Sequence, residues 1–412
     1  MKRKKMIWML ALVLLIFHQA EAGDIEYPKQ TWQNGALEAV RAWEQKWAGE
    51  KIDSARVDDI KELLPESLYH LMKDRDTWGD SWFVIAPYRQ IAPTNGERQL
   101  TISHAGEARL GTSDELCLWT AGIPFPEPKN GLEIAHNFKR RNNGDSIENS
   151  TAGFIVDGKL NYDMQYRSVN RYLFWAGRFD MPPVPELPGN TGNIWRTSLS
   201  CPTEPPENRN VKTIEVQYKD EMKPYDSWTW LPAARRVQRR TSSAREDSSG
   251  GSDFCEYDSM GWDGPVQINT YRLIGQKDFL WARHTDTAKL QRMPGSCLWS
   301  GAQRERLSTY IIEVKNKNPN FLYSKQVWYI DPETWQILYA ERYDRSGRLW
   351  RILDQFFFIG RGYGGAELGQ YTAIQSIDIE KVHATILKSD MKFGLDYPLT
   401  LFNKDYLQKN GY

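Results

Sequence analysis

The chain of 412 residues carries 53 basic and 53 acidic side chains, so its formal net charge is zero. Without net charge it has no long-range field that would draw it to polyanions, which disfavours nucleic acid or acidic membranes as partners. The length allows one large domain or two, and its 17 Trp and 20 Tyr residues are typical of aromatic-packed sheets or of an aromatic-lined cavity.

The first 22 residues have the three parts of a secretory signal peptide. Basic residues occupy positions 2–5, an apolar run covers 6–17, and residues 20–22 (AEA) form a small-x-small cleavage site. The apolar run is too short to span a bilayer. We therefore expect the mature chain to start at Gly23 and to be exported.

Four cysteines are present, and an even number in an exported chain favours two disulfides. Their wide spacing contains no CxxC motif, which argues against a zinc or redox site. The sequence leaves all three pairings open. The disulfide candidates are Cys117, Cys201, Cys255 and Cys297.

The N-terminal part is predicted to be helical and to give way to strands. Apolar residues recur three or four positions apart over about 27–72, which predicts short helices that cover a sheet. Residues 81–87 and 99–103 have the pattern of strands, whereas 131–141 has that of a helix ending in basic residues. A hairpin is predicted over 153–175, around an Asp-Gly turn.

Proline and glycine are concentrated between about 180 and 208. This composition predicts a long ordered loop. A loop of that length in a compact domain suggests a lid or a binding loop. Strict alternation then predicts a strand over 211–218.

The most unusual stretch runs from Asp226 to Gly264. It begins as a strand in which Trp228 and Trp230 lie two residues apart and therefore share a face. An arginine cluster, a polar tip and an acid-rich segment follow, and we interpret the whole as the two arms of a long hairpin. The cluster consists of Arg235, Arg236, Arg239 and Arg240.

Two interpretations stay open for each half of this stretch. The Trp face either packs as core or lines a cavity for an apolar ligand. The arginines either pair with Asp253, Glu256 and Asp258 at a solvated strand edge, or contact an acidic partner or a lipid headgroup. The candidate cavity residues are Trp228, Trp230, Phe254, Trp262 and Trp328.

The C-terminal part alternates strands and short turns at about ten-residue spacing, a pattern typical of an antiparallel sheet or barrel. Turns are predicted at 331–334 and 344–347, and the last strand follows His383. The glycine-rich segment 360–366 lacks the Lys-Ser/Thr pair of a phosphate loop. It predicts a bulge or tight bend within the sheet.

Signatures of catalysis and metal binding are missing from the sequence. The histidines do not fall into HExxH or HxH spacing, and there is no GxSxG elbow, P-loop, or GxGxxG after a strand. We therefore expect no metal, no cofactor and no enzymatic activity. A hydrolase or carbohydrate-active protein would need two carboxylates within about 10 Å of each other, flanked by stacked Trp side chains.

Several separated segments resemble the bacterial DUF1329 family. They are DSWTWLPAARRVQRR at 226–240, SDFCEYDSMGWDG at 252–264, AGIPFP at 121–126, NFKRRNNGDS at 137–146 and the strand-turn-strand segment at 327–351. The chain departs from the family pattern at Trp230, where Tyr is usual, and in its four cysteines.

The resemblance implies a single domain over 23–412 with an α+β fold that is mostly antiparallel β. The expected architecture is a curled, half-open β-barrel closed by helices, similar to the lipoprotein carriers LolA and LolB. In this fold the helices at about 27–72 and the loop at about 180–208 would lie at the opening of the barrel.

The resemblance also implies a function. DUF1329 proteins are similar to outer-membrane lipoprotein-sorting proteins and are often associated with RND-type exporters and outer-membrane partners. This implies binding or shuttling of a lipid or other hydrophobic molecule in the periplasm of a Gram-negative bacterium, and no catalytic residues carry over. The alternative is an adaptor without enzymatic activity that docks to an envelope transporter through its arginine cluster.

Overall fold

A computed structural model describes residues 27, 31–32, 35–240, 245–248 and 251–409, without the side chains of 163–165. The predicted signal peptide at 1–22 lies outside this part of the chain. A 3-10 helix covers Val57–Leu63. The α-helices are α1 Ala36–Trp47, α2 Glu66–Lys73, α3 Arg75–Trp78, α4 Asn95–Ser103, α5 Gly131–Arg140 and α6 Lys404–Lys409. None of the described helices is both long and apolar enough to cross a membrane.

The strands alternate with short turns through most of the chain. They are β1 Lys51–Ile52, β2 Phe83–Ala86, β3 Arg109–Leu110, β4 Leu116–Cys117, β5 Ser146–Val156, β6 Tyr162–Phe174, β7 Ile194–Glu204, β8 Lys212–Tyr218, β9 Asp226–Leu231, β10 Arg236–Arg240, β11 Asn269–Trp281, β12 Gln291–Arg292, β13 Trp299–Ser300, β14 Ala302–Asn316, β15 Lys325–Ile330, β16 Ile337–Tyr343, β17 Leu349–Arg361, β18 Glu367–Asp378 and β19 His383–Phe393.

One large sheet organises the described residues. Its order is β1-β2-β14-β15-β16-β17-β18-β19-β5-β6-β7-β8-β9-β10, and β11 also pairs with β14. Neighbouring strands are antiparallel except β2 and β14. The path ends at β1 and β10 without closing, so the predicted fold class is confirmed: a mostly antiparallel, open sheet with a few helices.

Two neighbouring residues that contact distant strands show that this sheet is curled. Trp262 packs against Trp328 of β15, with ring centroids 5.8 Å apart. Asp263 accepts a hydrogen bond from Gln217 of β8 at 2.9 Å. Eight strand-to-strand steps separate β15 from β8, roughly 38 Å in a flat sheet. The sheet must therefore bend around this point, and the face that it presents there is its concave face.

Helices α2 and α6 pack on the opposite, convex face. In α2, Ser67 Oγ donates to Glu341 at 2.5 Å and lies 2.9 Å from the Tyr339 hydroxyl. These two residues of β16 alternate with Arg342, which points to the concave face. At the other end of the sheet, α6 buries Leu407 in a small cluster with Trp230. The convex face is therefore packed at two separate places, under α2 and under α6.

The predicted strand over 99–103 is wrong, because these residues belong to α4. Thr94 caps this helix, since its side chain accepts a hydrogen bond from the Glu97 backbone N–H at 3.1 Å. A Thr followed three residues later by Glu is a helix-start signal. The alternation of apolar residues over five positions was too short to outweigh that signal.

The predicted loop over 180–208 is replaced by a strand in its second half, β7. The five residues from Trp195 to Leu199 are all buried, and the flanking prolines obscured this strand. The first half is held firmly, because the Arg178 guanidinium donates to the backbone carbonyls of Phe174, Met181 and Pro183.

The predicted disulfides are wrong, because all four cysteines are free thiols. Cys117 lies in β4, Cys201 in β7, Cys255 before a 3-10 helix and Cys297 beside α3, so each thiol packs in different surroundings. Burial raises the pKa of Cys255 and of Cys297 to about 12. Both thiols therefore stay protonated and have low reactivity at neutral pH.

Glu97 makes folding stability depend on pH. It is buried, and the Tyr27 hydroxyl donates to it at 2.6 Å. Burial raises the pKa of Glu97 to about 7, so the folded state binds this proton more tightly than the unfolded chain does. The resulting stability is present below the unfolded pKa, near 4.5, and is lost as pH rises to about 7, by about 3 kcal/mol.

Thermal unfolding between pH 4 and 8 tests this dependence. Burial also raises the pKa of Glu215 to about 7, so we expect Glu97→Gln to make the decrease in unfolding free energy between about pH 4.5 and pH 7 smaller without abolishing it. Glu207 is exposed, so Glu207→Gln serves as the matched control and should keep the wild-type slope. A wild-type slope in Glu97→Gln would show that this carboxyl is not the titrating group.

Candidate functional site

A segment outside the sheet, Asp253–Gly264, fills its concave face, and we call it the plug. It is not the predicted second arm of a hairpin, because β9 pairs instead with β10. Within the plug, Glu256–Gly261 forms a 3-10 helix whose Met260 has φ 53°. The Asp258 side chain accepts from the Cys255 backbone N–H at 2.9 Å. This cap starts a helical turn where the acid-rich sequence suggested a strand.

Aromatic side chains join the plug to the sheet and to α5. Trp262 stacks on Tyr257 at 5.2 Å and packs edge-on against Phe321 at 6.0 Å. Trp328, which lies beneath Trp262, also contacts Phe138 of α5 at 5.7 Å. Trp262 is 2% exposed and Trp328 fully buried. The concave face is therefore an aromatic surface covered by two short pieces of chain.

A hydrogen bond fixes the plug at its start, and an ion pair fixes it in its middle. Asp253 Oδ2 lies 2.7 Å from His383 Nδ1 of β19. Asp258 pairs with Arg342 of β16 at 3.2 Å, with both side chains fully buried. Asp258 also accepts from the Tyr323 hydroxyl at 2.9 Å. Removing one partner of such a buried ion pair strongly destabilises the folded protein, because the other charge stays buried without a counter-charge.

Asp263 anchors the end of the plug among several cations. Arg196 of β7 lies 3.1 Å from its carboxylate, Arg245 3.6 Å and Lys139 of α5 3.7 Å. Burial alone would raise the pKa of Asp263, but the charges of Arg196, Lys139 and Arg245 outweigh it and hold the pKa below its ordinary value. The carboxylate therefore stays ionised.

A further guanidinium, that of Arg141, is buried on this face without a carboxylate partner among the described residues. It donates to the Gln336 side chain at 2.7 Å and to the carbonyls of Phe138 and Met260 at 2.5 and 3.2 Å. Burial lowers the pKa of Arg141 to about 9. One of its three hydrogen bonds thus depends on the plug.

Two clefts on the described surface are small. A cleft of about 40 Å³ lies beside Lys139, Gln217, Tyr225 and Asp263, and a second of about 10 Å³ lies between α2 and β17. Ligand pockets for small molecules measure about 300–1,000 Å³. The concave face is accordingly filled by the plug in this conformation.

The predicted cavity residues fall into two groups. Trp262 and Trp328 meet on the concave face, and Phe254 packs at its margin. Trp228 and Trp230 instead lie on the convex face, in the small cluster beneath α6. The sequence placed all five together because spacing within a strand does not tell which face is concave.

The predicted arginine cluster forms an exposed edge along β10. Arg235, Arg236, Arg239 and Arg240 are all exposed. Arg239 pairs with Asp226, and Arg240 lies 3.7 Å from Glu256. The other two acids that the sequence offered as partners, Asp253 and Asp258, are buried against His383 and Arg342 instead.

Several basic residues that contact the plug were missed from the sequence. Three of them bear on its ion pairs, and we call these three the basic wall: Lys139, Arg196 and Arg342. Lys139 fitted a helix C-terminus, and Arg196 lay in the predicted loop. The sequence holds one signal that could have revealed these contacts. Arg342 lies at a position of β16 where alternation predicts an apolar residue, and that strand is buried along nearly its whole length.

The described residues contain no group of three or more His, Cys, Asp or Glu side chains that could hold a metal ion.

The chain is similar to two solved structures from other bacteria. A DUF1329 family protein from Desulfovibrio piger is 18% identical, with a TM-score of 0.47 over 67% of this chain and 97% of that one. A LolA superfamily protein from Nitrosomonas europaea is 16% identical, with a TM-score of 0.43 over 68% of this chain and all of the other.

An uncharacterized protein of Pseudomonas aeruginosa is 22% identical over 243 residues. That match covers 56% of this chain and about half of the relative, 52%. The model of the DUF1329 family, described as a protein of unknown function, matches residues 51–409. The chain belongs to the DUF1329 family.

Proposed function

We propose that the protein binds a hydrophobic molecule on the concave face of its sheet and carries it between components of the bacterial envelope. The observation that carries this proposal is the contact between Trp262 of the plug and Trp328 of the sheet. Every described strand of the sheet is complete without the plug, so the plug occupies a space that the curled sheet encloses. A cargo would take that space when the plug moves away.

The energetics of such an exchange are favourable for a long apolar chain. Each methylene group removed from water contributes on the order of 0.8 kcal/mol. A chain of a dozen carbons would therefore gain about 10 kcal/mol before ordering costs are subtracted. The loss of the plug contacts offsets part of this free-energy gain. To bind, the cargo must therefore cover the same aromatic surface.

The plug is better suited to control access than the loop after β6. Asp145 accepts hydrogen bonds from the backbone N–H groups of Phe179 and Asp180 at 2.8 Å each and of Met181 at 2.5 Å. Together with the buried Arg178 this fixes the start of that loop. The plug is anchored as well, but its Trp262 is the side chain that covers Trp328, so we assign the gating role to the plug.

The cellular setting proposed here is the periplasm of a Gram-negative bacterium, with an RND-type exporter and an outer-membrane protein as partners. This setting rests on the predicted signal peptide and on the family resemblance.

Lipid analysis of protein purified from the periplasm tests the proposal. Native mass spectrometry should detect a bound lipid, and solvent extraction should recover it. The neutral fluorescent probe N-phenyl-1-naphthylamine should bind to the extracted protein. If no lipid is recovered and the probe does not bind, the carrier function is wrong.

A second candidate function, an adaptor for an envelope transporter, is favoured by one observation. Arg235 and Arg236 are exposed and form no ion pair with any described residue. Charge reversal of both residues should then abolish co-purification with a membrane partner and leave the lipid content unchanged. Loss of lipid with retention of the partner would favour the carrier.

A further inference from the structure

The plug has the chemistry of an anionic amphiphile. Its twelve residues, DFCEYDSMGWDG, include four acids, no lysine or arginine, and the aromatic residues Phe254, Tyr257 and Trp262. The aromatic part covers the apolar concave surface, and the carboxylates of Asp258 and Asp263 lie against basic side chains of the sheet and of α5.

The basic wall supplies the matching positive charge. Arg342 faces Asp258, and Arg196 and Lys139 face Asp263. Two other carboxylates lie nearby: Glu221 is paired with Arg140 at 2.7 Å, and the charge of Arg196 acts on the buried Glu215 of β8, whose pKa burial raises to about 7. Among the described residues, the carboxylates within 4 Å of the basic wall are those of Asp258 and Asp263 in the plug.

The basic wall and the neighbouring Arg141 carry more hydrogen-bond donors than the plug uses. Arg342 is fully buried, and its Nε and Nη1 atoms have no hydrogen-bond acceptor among the described residues. Arg141, also buried, reaches the plug through a backbone carbonyl alone. Guanidinium groups in such surroundings bind carboxylate and phosphate groups through paired N–H donors.

We infer that the cargo is an amphiphile that combines an acyl chain with a compact anionic headgroup, a carboxylate or a phosphate. This inference rests on the proposed carrier function. When the plug leaves, Asp258 and Asp263 leave with it, and under a neutral lipid the basic wall would be buried without the carboxylates that pair with it. An anionic headgroup restores the lost ion pairs while its chain covers Trp328.

Competition for the neutral probe N-phenyl-1-naphthylamine separates this inference from the carrier function itself. Hexadecanoate, hexadecyl phosphate and hexadecanol share one chain length and differ in headgroup charge. We expect at least one of the two anions to displace the probe from the wild-type mature chain roughly 10- to 100-fold more tightly than the alcohol does. The better anion identifies the headgroup.

Variants of the basic wall locate the headgroup. Lys139→Gln and Arg196→Gln should each reduce the preference for the anion, whereas Arg236→Gln, at the exposed edge, should keep it. Equal displacement by the anions and the alcohol in the wild-type chain would overturn the inference and leave the carrier function standing. A preference that survives in both wall variants and disappears in Arg236→Gln would also overturn it. No binding of the probe would overturn both.

Discussion

Replacement of Arg342 by Met is expected to destabilise the folded protein by about 3–5 kcal/mol. Arg342 is fully buried, and its guanidinium lies 3.2 Å from Asp258 Oδ1 and 3.3 Å from the Gly261 carbonyl. The substitution keeps an unbranched apolar stem but removes the guanidinium, so the Asp258 carboxylate is left buried without this cation. Chemical denaturation, followed by intrinsic Trp fluorescence, measures the change in unfolding free energy.

A double-mutant cycle shows whether the ion pair causes this loss. Asp258→Asn combined with Arg342→Met should cost less than the two single changes added together, because neither charge is then left alone. Arg236→Met is the matched control and should stay within about 0.5 kcal/mol of wild type, because Arg236 is exposed. A cost below about 1 kcal/mol for Arg342→Met would contradict a buried anchor at this position.

Replacement of Trp262 by Ala is expected to cost about 3–5 kcal/mol and to leave an apolar cavity against Trp328. Such a cavity binds small apolar molecules, so indole should raise the melting temperature of the variant. We expect little effect of indole on the wild-type protein, whose clefts measure about 40 and 10 Å³. Thermal melts with increasing indole concentration measure this rescue.

Trp230→Ala is the matched control for this experiment. Trp230 is 3% exposed and Trp262 2%, so the two changes remove the same side chain from equally buried positions. Trp230 lies on the convex face beneath α6. Because bound cargo would lie on the concave face, N-phenyl-1-naphthylamine should bind more tightly to Trp262→Ala than to Trp230→Ala. Equal binding to both variants would contradict the assignment of the site.

Regular alternation and turn chemistry made the C-terminal meander predictable. The turns at 331–334 and 344–347 connect β15, β16 and β17 as expected, and the hairpin around Asp157 and Gly158 joins β5 to β6. The helix at 131–141 also agrees with α5. In these segments the periodicity of apolar residues and the local turn signals favour the same structure.

The site was predictable only in part, because its chemistry depends on the curl of the sheet. Trp262 and Trp328 meet across 66 positions of sequence through a bend that no local pattern reveals. The acid-rich segment after Gly251 has the composition of a strand edge, yet Asp258 and Asp263 are buried against cations from β16, β7 and α5. Only the pairing order of distant strands brings those cations together.

Hydrogen–deuterium exchange of the plug tests the central claim most directly. The mature protein would be compared with and without saturating hexadecanoate, with binding confirmed by displacement of N-phenyl-1-naphthylamine. If cargo replaces the plug on the concave face, amides of residues 253–264 should exchange faster in the bound protein, while those of α6 stay unchanged. Slower or unchanged exchange of residues 253–264 in protein that has bound hexadecanoate would contradict the account.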